Sequence, residues 1–556
     1  FTHTGPEIPS PFFSGASIWS PFRLCITAGC PGEARAAALI EAIREKQRYS
    51  AGINALLTEY SLSSREGVVL MCLAEALLRV PDRITADRLI RDKLGSGDWR
   101  SHVGNRHSLF VNASAWGLLL TGKVIRLQQD DTESAWRMLR QTVGRAGEPA
   151  IRTAMRLAMN IMGTQFVLGT DIDAALDKSK EWLVRGYRYS YDMLGEGART
   201  ATSAGEYHAV YCASIERVGQ HSRASDPVSG PGFSVKLSAL HPRLELAQGK
   251  RTRAELVPRV LELAQLARAH NIGLTLDAEE AHRLDPMLDV FEAVYRDSSL
   301  SGWEGFGMAV QAYLKNAPAV IDWLADQSAR QRRRIMVRLV KGAYWDAEIK
   351  HAQNFGLAGY PVFTRKAASD LSYLVCAGRL LAQRSRLYPQ FATHNAHSAS
   401  AILAMSGTPG GFEFQRLHGM GEELYEEMLE AQGIEVPCRI YAPVGVHRDL
   451  LAYLVRRLLE NGANSSFVHN LANKALPSVL LGADPRDKLR GLRQYANRSI
   501  ALPRQMFGTA RAAAHGVDLQ DAEQLRAFAS GLDVWRESAA RLGADTGPGT
   551  RTAVRN

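Results

Sequence analysis

The chain has 556 residues, of which 46% are hydrophobic and 22% charged, a balance typical of a globular protein with a sizeable core. Its net charge of +10 allows attraction to anionic surfaces, but no dense basic run dominates, which disfavours a nucleic-acid-binding protein. No stretch is long and apolar enough to span a bilayer, and the first residues lack the pattern of a signal peptide.

The first part of the chain predicts helices without chemistry. Residues 1–30 are rich in Pro, Gly and Ser and predict an extended lead-in. From 31 to 170 the apolar periodicity predicts an all-α arm and subdomain, with a capping box at Ser63 and Glu66. We interpret this part as a region for packing or association.

From 171 to 480, short β-rich runs alternate with helical stretches. The runs are RYSYDM (188–193), FSVKLSAL (233–240), IGLTLDAEE (272–280), FGMAVQAY (306–313), RIMVRLVKGAY (334–344), FATHN (391–395), FEFQRLHGM (412–420) and CRIYAPV (438–444). Eight β–α repeats predict an α/β protein with a parallel (β/α)8 barrel. Residues 481–556 predict C-terminal helices followed by a linker rich in Gly, Thr and Ala.

Polar residues concentrate within or just after these runs, most of them past the midpoint. They are Lys236, Asp277, Gln311, Arg338, Lys341, Thr393, His394, Asn395, Gln415 and Tyr441. Because the carboxyl ends of barrel strands converge, the pattern predicts one active site. Taken singly, each has a structural alternative: Lys236 and Asp277 as an ion pair, or His394 and Asn395 as satisfied core groups.

A predicted helix over 447–461 follows the eighth run. Tyr453, Arg456, Arg457 and Glu460 fall at i, i+3, i+4 and i+7, so they share one face. Two guanidinium groups beside a phenol and a carboxylate suit a small zwitterion, since arginine grips carboxylates in fixed geometry. The alternative is a solvated face with an ordinary Arg–Glu pair.

Several catalytic classes lack their motifs. There is no G-x-G-x-x-G after a strand, no P-loop, no H-E-x-x-H and no G-x-S-x-G. This disfavours a Rossmann dehydrogenase, a nucleotide hydrolase, a zinc protease and a serine hydrolase. The six cysteines are scattered with no C-x-x-C pair, so we expect reduced thiols, a cytoplasmic protein and no metal site.

The segments SVKLSALHPR, LDAEEAHRL, VRLVKGAYWDAEIKHAQ, FATHNAHS, FEFQRLHGMGEELYE and LAYLVRRLLENGANSSFV resemble the proline dehydrogenase half of the bifunctional proline utilization A family. The resemblance extends from about residue 35 to about 508 and also covers SLSSREGVVLMCLAEALLRVPD in the helical part. It implies a distorted (β/α)8 TIM-type barrel preceded by an all-α arm and subdomain.

The resemblance also implies a reaction. Non-covalent FAD would oxidise L-proline to Δ1-pyrroline-5-carboxylate, the first step of proline catabolism to glutamate, by hydride transfer from C5 to flavin N5. A ubiquinone-type membrane acceptor would take the electrons, and the protein would be a homo-oligomer associated peripherally with the inner membrane.

Two features depart from the family pattern. Residues 1–30 do not resemble the ribbon-helix-helix domain of some members, so we expect no nucleic-acid partner. The family also carries a C-terminal aldehyde dehydrogenase half, and RTAVRN resembles the approach to it, but no catalytic cysteine in such a setting is visible. We therefore do not assign that activity to this chain.

By position, the resemblance assigns roles to individual residues. Those expected to be catalytic are Arg338, Lys236, Asp277 and Tyr441. The substrate pocket is expected to contain Lys236, Asp277, Tyr344, Leu417, Tyr441, Tyr453, Arg456, Arg457 and Glu460. The flavin is expected to contact Asp277, Ala278, Gln311, Arg338, Val340, Lys341, Gly342, Ala343, Tyr344, Trp345, Thr364, Arg365, Lys366, Thr393, His394, Asn395, Gln415, Arg416, Leu417, Glu460, Ser466 and Phe467.

Three other functions compete with this one. Another flavin barrel, such as a methylenetetrahydrofolate reductase-like enzyme, has no need of the double-arginine helix. A flavin-binding scaffold without turnover has no need of the set that includes Lys236, Asp277 and Arg338. A DNA-binding regulator would need a basic N-terminal module. Fold alone separates none of these functions.

Overall fold

Eight parallel strands close into a barrel in sequential order, with β8 pairing back to β1, which confirms the predicted architecture. The computed structural model describes residues 31–47, 85, 166–407, 410–445, 453, 456, 467–472, 476–514 and 516–545. The strands are β1 (Arg188–Met193), β2 (Gly232–Val235), β3 (Gly273–Leu276), β4 (Phe306–Gln311), β5 (Ile335–Val340), β6 (Leu387–Ala392), β7 (Glu413–Leu417) and β8 (Cys438–Val444).

Helices precede, connect and follow the strands. They are α1 (Pro31–Gln47), α2 (Ile172–Leu183), α3 (Ala201–His221), α4 (Leu237–Leu240), α5 (Gly249–Ala269), α6 (Leu284–Tyr295), α7 (Ala317–Gln331), α8 (Trp345–Asn354), α9 (Lys366–Ala382), α10 (Ala396–Ser406), α11 (Glu422–Tyr425), α12 (Phe467–Ala472), α13 (Ser478–Leu481), α14 (Pro485–Leu489) and α15 (Ala522–Asp545). In the described part of the chain, no helix combines the length and apolar character needed to cross a bilayer.

The observed strand bounds agree with the predicted ones for some strands and differ for others. β1 and β8 coincide with the predicted runs, whereas β6 begins at Leu387, four residues before the predicted start. The missed residues include Pro389, which usually argues against a central strand, and the polar Gln390. Gln390 is accommodated because its side chain donates to the buried Glu413 (Nε2–Oε1 2.8 Å). The end of the second run forms α4 instead of strand.

Helix α1 packs on the outer helix layer and shares its apolar cluster with the barrel. Leu39, Ile40 and Ile43 are fully buried in the same apolar cluster as the strands, and α1 packs against α10 and α13. Arg44 donates to backbone carbonyls of the C-terminal region, at 2.9 Å to Leu471. The predicted arm over 48–165 lies outside the described residues, except for residue 85.

The barrel interior is polar, whereas barrels of this type are commonly filled with branched apolar side chains. At the floor, Glu413 is fully buried and accepts two hydrogen bonds from Arg439, at 2.6 and 3.0 Å. Arg439 also donates to the carbonyl of Gly230 (2.7 Å), which links three strand segments. Burial alone would raise the pKa of Glu413, but the Arg439 charge outweighs burial and lowers it. The ionised, hydrogen-bonded pair of Glu413 and Arg439 therefore lies beneath the site at the strand ends.

Candidate active site

Four of the catalytic candidates meet at the carboxyl ends of the strands. Asp277 and Lys236 directly follow β3 and β2, and Arg338 and Tyr441 lie within β5 and β8. Side chains alternate between the two faces of a strand, so these residue positions turn the four groups inward. The structure thus brings together the residues that the sequence singled out.

Lys236 is the centre of a buried charge network. Its Nζ lies 2.7 Å from Oδ1 of Asp192, 3.3 Å from Oδ2 of Asp277 and 3.4 Å from the hydroxyl of Tyr441. Burial alone lowers the pKa of Lys236, but the carboxylate of Asp192 leads the opposing charges and the pKa is raised well above its usual value. Lys236 is therefore a fixed cation at neutral pH.

Asp277 is held by three donors. Besides Lys236, it accepts from the Tyr441 hydroxyl (2.6 Å to Oδ2) and from Arg338 (2.5 Å to Oδ1). Burial, and then the charge of Asp192, raise the pKa of Tyr441 well above its usual value. Tyr441 is therefore a neutral donor, and its ring lies under the guanidinium of Arg338, 5.0 Å from the ring centroid.

Arg338 is fixed by the strands around it. Its Nε donates to Oε1 of Gln415 (2.8 Å), and its two terminal nitrogens donate to Ser234 (2.9 Å) and Ser190 (3.0 Å). With Asp277, these contacts engage four of its five N–H groups, and the side chain is buried. Such a guanidinium cannot swing, so it presents a fixed positive charge to whatever lies above the strand ends.

Above this network, Arg456 pairs with a carboxylate that the sequence analysis did not identify. Its two terminal nitrogens lie 2.6 and 2.8 Å from the two oxygens of Glu196, a bidentate pair. The Arg456 guanidinium also lies 5.1 Å from the ring centroid of Tyr344. Burial alone would raise the pKa of Glu196, but the hydrogen bond from Arg456 outweighs it and lowers the pKa.

Apolar side chains stand beside the arginine. Tyr453 is buried in a small cluster with Phe166, Val167 and Met420, and Leu417 packs against the same cluster. Leu417 and Tyr453, both expected in the ring pocket, therefore share one apolar surface. Their position fits a wall for a small aliphatic ring.

A basic patch lies at the loop after β5 and the start of α9. Lys341 and Lys366 both bind Asp370, at 2.5 and 2.7 Å, so two cations share one carboxylate. Arg365 occupies the N-cap position of α9, which receives no side-chain cap. The first N–H groups of a helix and nearby cations together favour a phosphate group.

Neighbouring candidates form hydrogen bonds that hold the loop after β5 and the segment before α9. Thr364 accepts from the backbone N–H of Asn497 (2.9 Å), and Trp345 donates to the carbonyl of Phe363 (2.9 Å). Gly342 has φ +131°, and an added Cβ would overlap the Tyr313 ring, so only glycine fits there. Val340, Ala343 and Tyr344 complete the loop.

On the opposite side, three successive candidates order the loop after β6. Thr393 accepts from the N–H of Asn395 (3.2 Å), which in turn caps α10. Nε2 of His394 accepts from the N–H of Leu417 (3.0 Å), so the proton of a neutral His394 is on Nδ1. Gln311 donates to the carbonyl of Glu279 (2.7 Å) and lies beside Ala278 at the end of β3.

The position of Arg416 corrects its assignment to the flavin. Its guanidinium lies 4.3 Å from the Trp182 ring centroid and 3.2 Å from Glu422, in the helix layer outside the barrel. Strand alternation explains this, because Gln415 and Leu417 on either side point to the other face. Phe467 is buried in the main apolar core, at the start of α12.

Three candidates, Arg457, Glu460 and Ser466, lie outside the described residues, so their roles stay predictions. Two contributors were missed. Asp192 has a sequence signal, because it lies two residues after Ser190 on β1 and follows the same strand-end rule as the other candidates. Glu196 lies in a glycine-containing loop without periodicity, and its partner Arg456 is 260 residues away.

A family model described as "Proline dehydrogenase" matches residues 175–470, and one described as "DNA-binding domain of Proline dehydrogenase" matches residues 52–166. This second domain is present almost wholly outside the described residues. Its description opposes the expectation, drawn from residues 1–30, that no nucleic acid is a partner, and we do not keep that expectation.

Curated relatives carry the name "Bifunctional protein PutA". The chain is 51% identical over 492 residues to the protein of Klebsiella aerogenes and 50% identical over 507 residues to that of Rhizobium meliloti. These matches cover 86% and 90% of this chain but only 37% and 40% of the relatives. The chain therefore spans less than half the length of these relatives.

Solved structures agree with the sequence matches. A mutant of Bradyrhizobium japonicum Proline Utilization A is 47% identical with a TM-score of 0.70, and the match covers 92% of this chain and 52% of that one. A further structure of bifunctional proline utilization A is 46% identical with a TM-score of 0.72. Because the first family model matches more than half of this sequence, the chain belongs to the proline dehydrogenase family of oxidoreductases.

Proposed function

We propose that the chain is an FAD-dependent proline dehydrogenase that oxidises L-proline to Δ1-pyrroline-5-carboxylate. The observation that carries the proposal is the closed network of Lys236, Asp277, Tyr441 and Arg338 at the strand ends, beneath the Arg456 guanidinium. It combines fixed cations, a neutral phenol donor and a carboxylate in one buried place. A silent flavin-binding scaffold has no use for such an arrangement.

The residues present fit a flavin dinucleotide. Lys341 and Lys366 meet at Asp370 beside the uncapped start of α9, and cations next to the first N–H groups of a helix suit a pyrophosphate. Arg338, fixed by four hydrogen bonds, suits the electron-accepting edge of a flavin ring, where negative charge grows. When bound, FAD supplies the chemistry by accepting at N5 the hydride that leaves C5 of proline.

Arg456 and the apolar cluster fit the substrate. A guanidinium binds a carboxylate through two parallel hydrogen bonds, and Glu196 occupies that place in the described structure. The proline carboxylate would replace Glu196, while Tyr344, Leu417 and Tyr453 would contact the methylene groups of the ring. Proline then has one orientation, with its carboxylate toward the arginine and its ring toward the strand ends.

The protein's part in the reaction is positioning and charge. Lys236 stays charged and Tyr441 stays neutral near pH 7, because their pKa values are both raised well above their usual ranges. Neither group can therefore act as the base for the proline amine. Asp277, whose carboxylate both groups hold in place, is the acidic group of this set that would face the amine.

The remaining partners follow from the same proposal. A ubiquinone-type acceptor at the inner membrane would remove the electrons, and the net charge of +10 favours attraction of the cytoplasmic protein to an anionic bilayer surface. We also propose a homo-oligomer. Multi-angle light scattering would measure the mass in solution, and co-sedimentation with quinone-loaded vesicles would measure the membrane association.

The central test is optical. The purified full chain is examined by visible absorption, then again under anaerobic conditions with excess L-proline. The expected result is a flavin spectrum whose main band bleaches with L-proline and persists with NADH. D-proline is the matched control, because it has the same groups with the opposite handedness at the carbon that bears the carboxylate.

Two outcomes would contradict the proposal in different ways. A protein that holds flavin but keeps its colour with L-proline would support a scaffold or another substrate. A protein that holds no flavin and cannot be reconstituted with FAD would remove the basis for the flavin site at the strand ends.

A further inference from the structure

A cluster of three metal-ligand side chains lies on the outer helix layer, away from the strand ends. His208 and Cys212 are four residues apart on α3, and Glu262 projects from α5, which packs against α3. We refer to these three residues as the α3–α5 cluster. The scattered cysteines, which form no C-x-x-C pair along the chain, predicted no metal site.

The ligand atoms of the cluster are close enough to share one ion. Sγ of Cys212 lies 3.8 Å from Nε2 and 3.9 Å from Nδ1 of His208. Nε2 lies 3.5 Å from Oε2 of Glu262 and 3.3 Å from the carbonyl oxygen of Arg259. Each of the three side chains offers one ligand atom, and these three atoms all lie within 4.8 Å of one another. Helical spacing of i and i+4 puts the imidazole and the thiol on one face.

These distances match a tetrahedral site. Zinc binds sulfur at about 2.3 Å and nitrogen or oxygen at about 2.1 Å, so tetrahedral angles separate N from S by about 3.6 Å and N from O by about 3.4 Å. The observed 3.8 and 3.5 Å differ from these values by a few tenths of an ångström. The imidazole would have to turn to bind the ion, because Sγ lies almost equally far from both ring nitrogens and Nε2 contacts the Arg259 carbonyl.

Other charged groups favour a cation at this place. Among the described residues, Glu262 forms its ion contact with His208 and none with an arginine or lysine. Arg259, one turn earlier on α5, directs its guanidinium to the carbonyl of Leu240.

We propose that His208, Cys212 and Glu262 bind a zinc ion that joins α3 to α5. A thiolate, an imidazole and a carboxylate are the ligand types that zinc takes in proteins, and harder cations such as Mg²⁺ avoid sulfur. The fourth position would hold water or the carboxylate of Glu216, which follows Cys212 by four residues on the same helix face. The site is independent of the flavin and of proline.

The test uses the reactivity of Cys212 in the full chain. The thiol is half-buried and free, so iodoacetamide can reach it. The protein is alkylated at about pH 9.5, where more of the thiol is ionised, with and without chelator-buffered Zn²⁺, and the Cys212 peptide is quantified by mass spectrometry. We expect zinc to slow alkylation of Cys212 by about tenfold or more, since the bound thiolate is not available as a nucleophile.

Three variants make the result specific. His208→Ala and Glu262→Gln should each lose most of the protection, whereas His221→Ala on the same helix should keep it, because His221 bonds only locally to the Arg217 carbonyl. Glu262 is largely exposed, so its substitution should not disturb folding, and circular dichroism would check this. The separate group of Glu33, His397 and Asp484 does not interfere, because the readout is the Cys212 peptide.

Either of two results would overturn the proposal. Zinc that leaves Cys212 alkylation unchanged would show that no ion binds the thiol. Equal protection in the parent, His208→Ala and Glu262→Gln would show a thiol that binds zinc without the cluster.

Discussion

Asp192 uses only one of its two buried oxygens. Oδ1 lies 2.7 Å from Lys236, whereas Oδ2 is buried without a hydrogen-bond partner among the described residues. Burial first, opposed by Lys236 and reinforced by the charge of Asp277, raises the pKa of Asp192. The carboxylate is therefore a costly group that compensates the charge of Lys236.

We expect Asp192→Asn to destabilise the protein by about 3 kcal/mol, because it leaves a buried lysine without its nearest anion. It should also lower the pKa of Lys236 and move the alkaline limb of the pH–rate profile to lower pH. Thermal unfolding and steady-state rates against pH measure the two effects. The double variant Asp192→Asn, Lys236→Met should recover part of the lost stability and should stay inactive. A double variant as unstable as Asp192→Asn alone would contradict the pairing of the two residues.

Arg456 is the residue whose role depends most on the substrate. We expect Arg456→Met to raise KM for L-proline by about 100-fold, the loss of one charge-assisted bidentate contact, while flavin content stays at parent level. Arg416→Met is the matched control, because Arg416 is a buried arginine of the outer layer. The Arg416→Met variant should have a lower Tm and an unchanged KM for L-proline. Loss of flavin in Arg456→Met would instead indicate that Arg456 contacts the cofactor.

Sequence reasoning located the residues that obey a positional rule. Lys236, Asp277 and Tyr441 were identified because polar side chains at strand ends meet in a barrel. Glu196 was not, since its contact with Arg456 depends on how a loop folds over the barrel mouth. Arg416 differs from the other candidates, because alternation along β7 directs its side chain toward Trp182 in the helix layer.

At the scale of elements, α8 and the loop after β3 meet through a buried carboxyl group. Oε1 of Glu348 on α8 accepts from the N–H of Ala281 (2.6 Å). Burial raises the pKa of Glu348 from 4.5 to about 7, and the charge of Glu280 adds to the effect. The carboxyl group therefore binds its proton more tightly in the folded than in the unfolded chain, and stability falls as pH rises from about 4.5 to about 7.

We expect Glu348→Gln to raise the free energy of unfolding by about 2 kcal/mol at pH 8 and to change it little near pH 4.5. Glutamine keeps the oxygen that accepts from Ala281 and removes the ionisation. Chemical denaturation at the two pH values measures the difference. The matched change at an exposed position, Glu206→Gln, should stay within about 0.5 kcal/mol at both; a gain for Glu348→Gln that is equal at both pH values would contradict the assignment.

The elements also show what local patterns predict. β1 and β8 have the predicted bounds: β1 alternates polar and large apolar residues, and a glycine follows each strand within two residues. β6 was predicted too short, since its first residues, Leu387–Gln390, were left out of the predicted run. The reason for tolerating Gln390 is non-local: it contacts Glu413 on the neighbouring strand, and no window of sequence contains both residues.

At the scale of the whole molecule, α1 closes the barrel's outer layer from a distant position in sequence. Ile40 is fully buried against the barrel core, whereas Glu41 beside it is exposed. We expect Ile40→Ala to cost about 2–5 kcal/mol, through lost burial and a residual cavity. Differential scanning calorimetry should show a lowered Tm, while Glu41→Ala should stay within about 0.5 kcal/mol of the parent. Equal effects of the two changes would mean that α1 contributes no packing.

The packing of α1 on α10 and α13 also means that α1 is synthesised long before the helices that bury it. More than 350 residues separate Ile40 from the helices that cover it, so the ribosome produces this apolar face long before its partners exist. At about 5–20 residues per second, the wait to Leu481 is roughly 20–90 seconds. During that interval the apolar face of the nascent helix lacks the two helices that bury it in the folded chain.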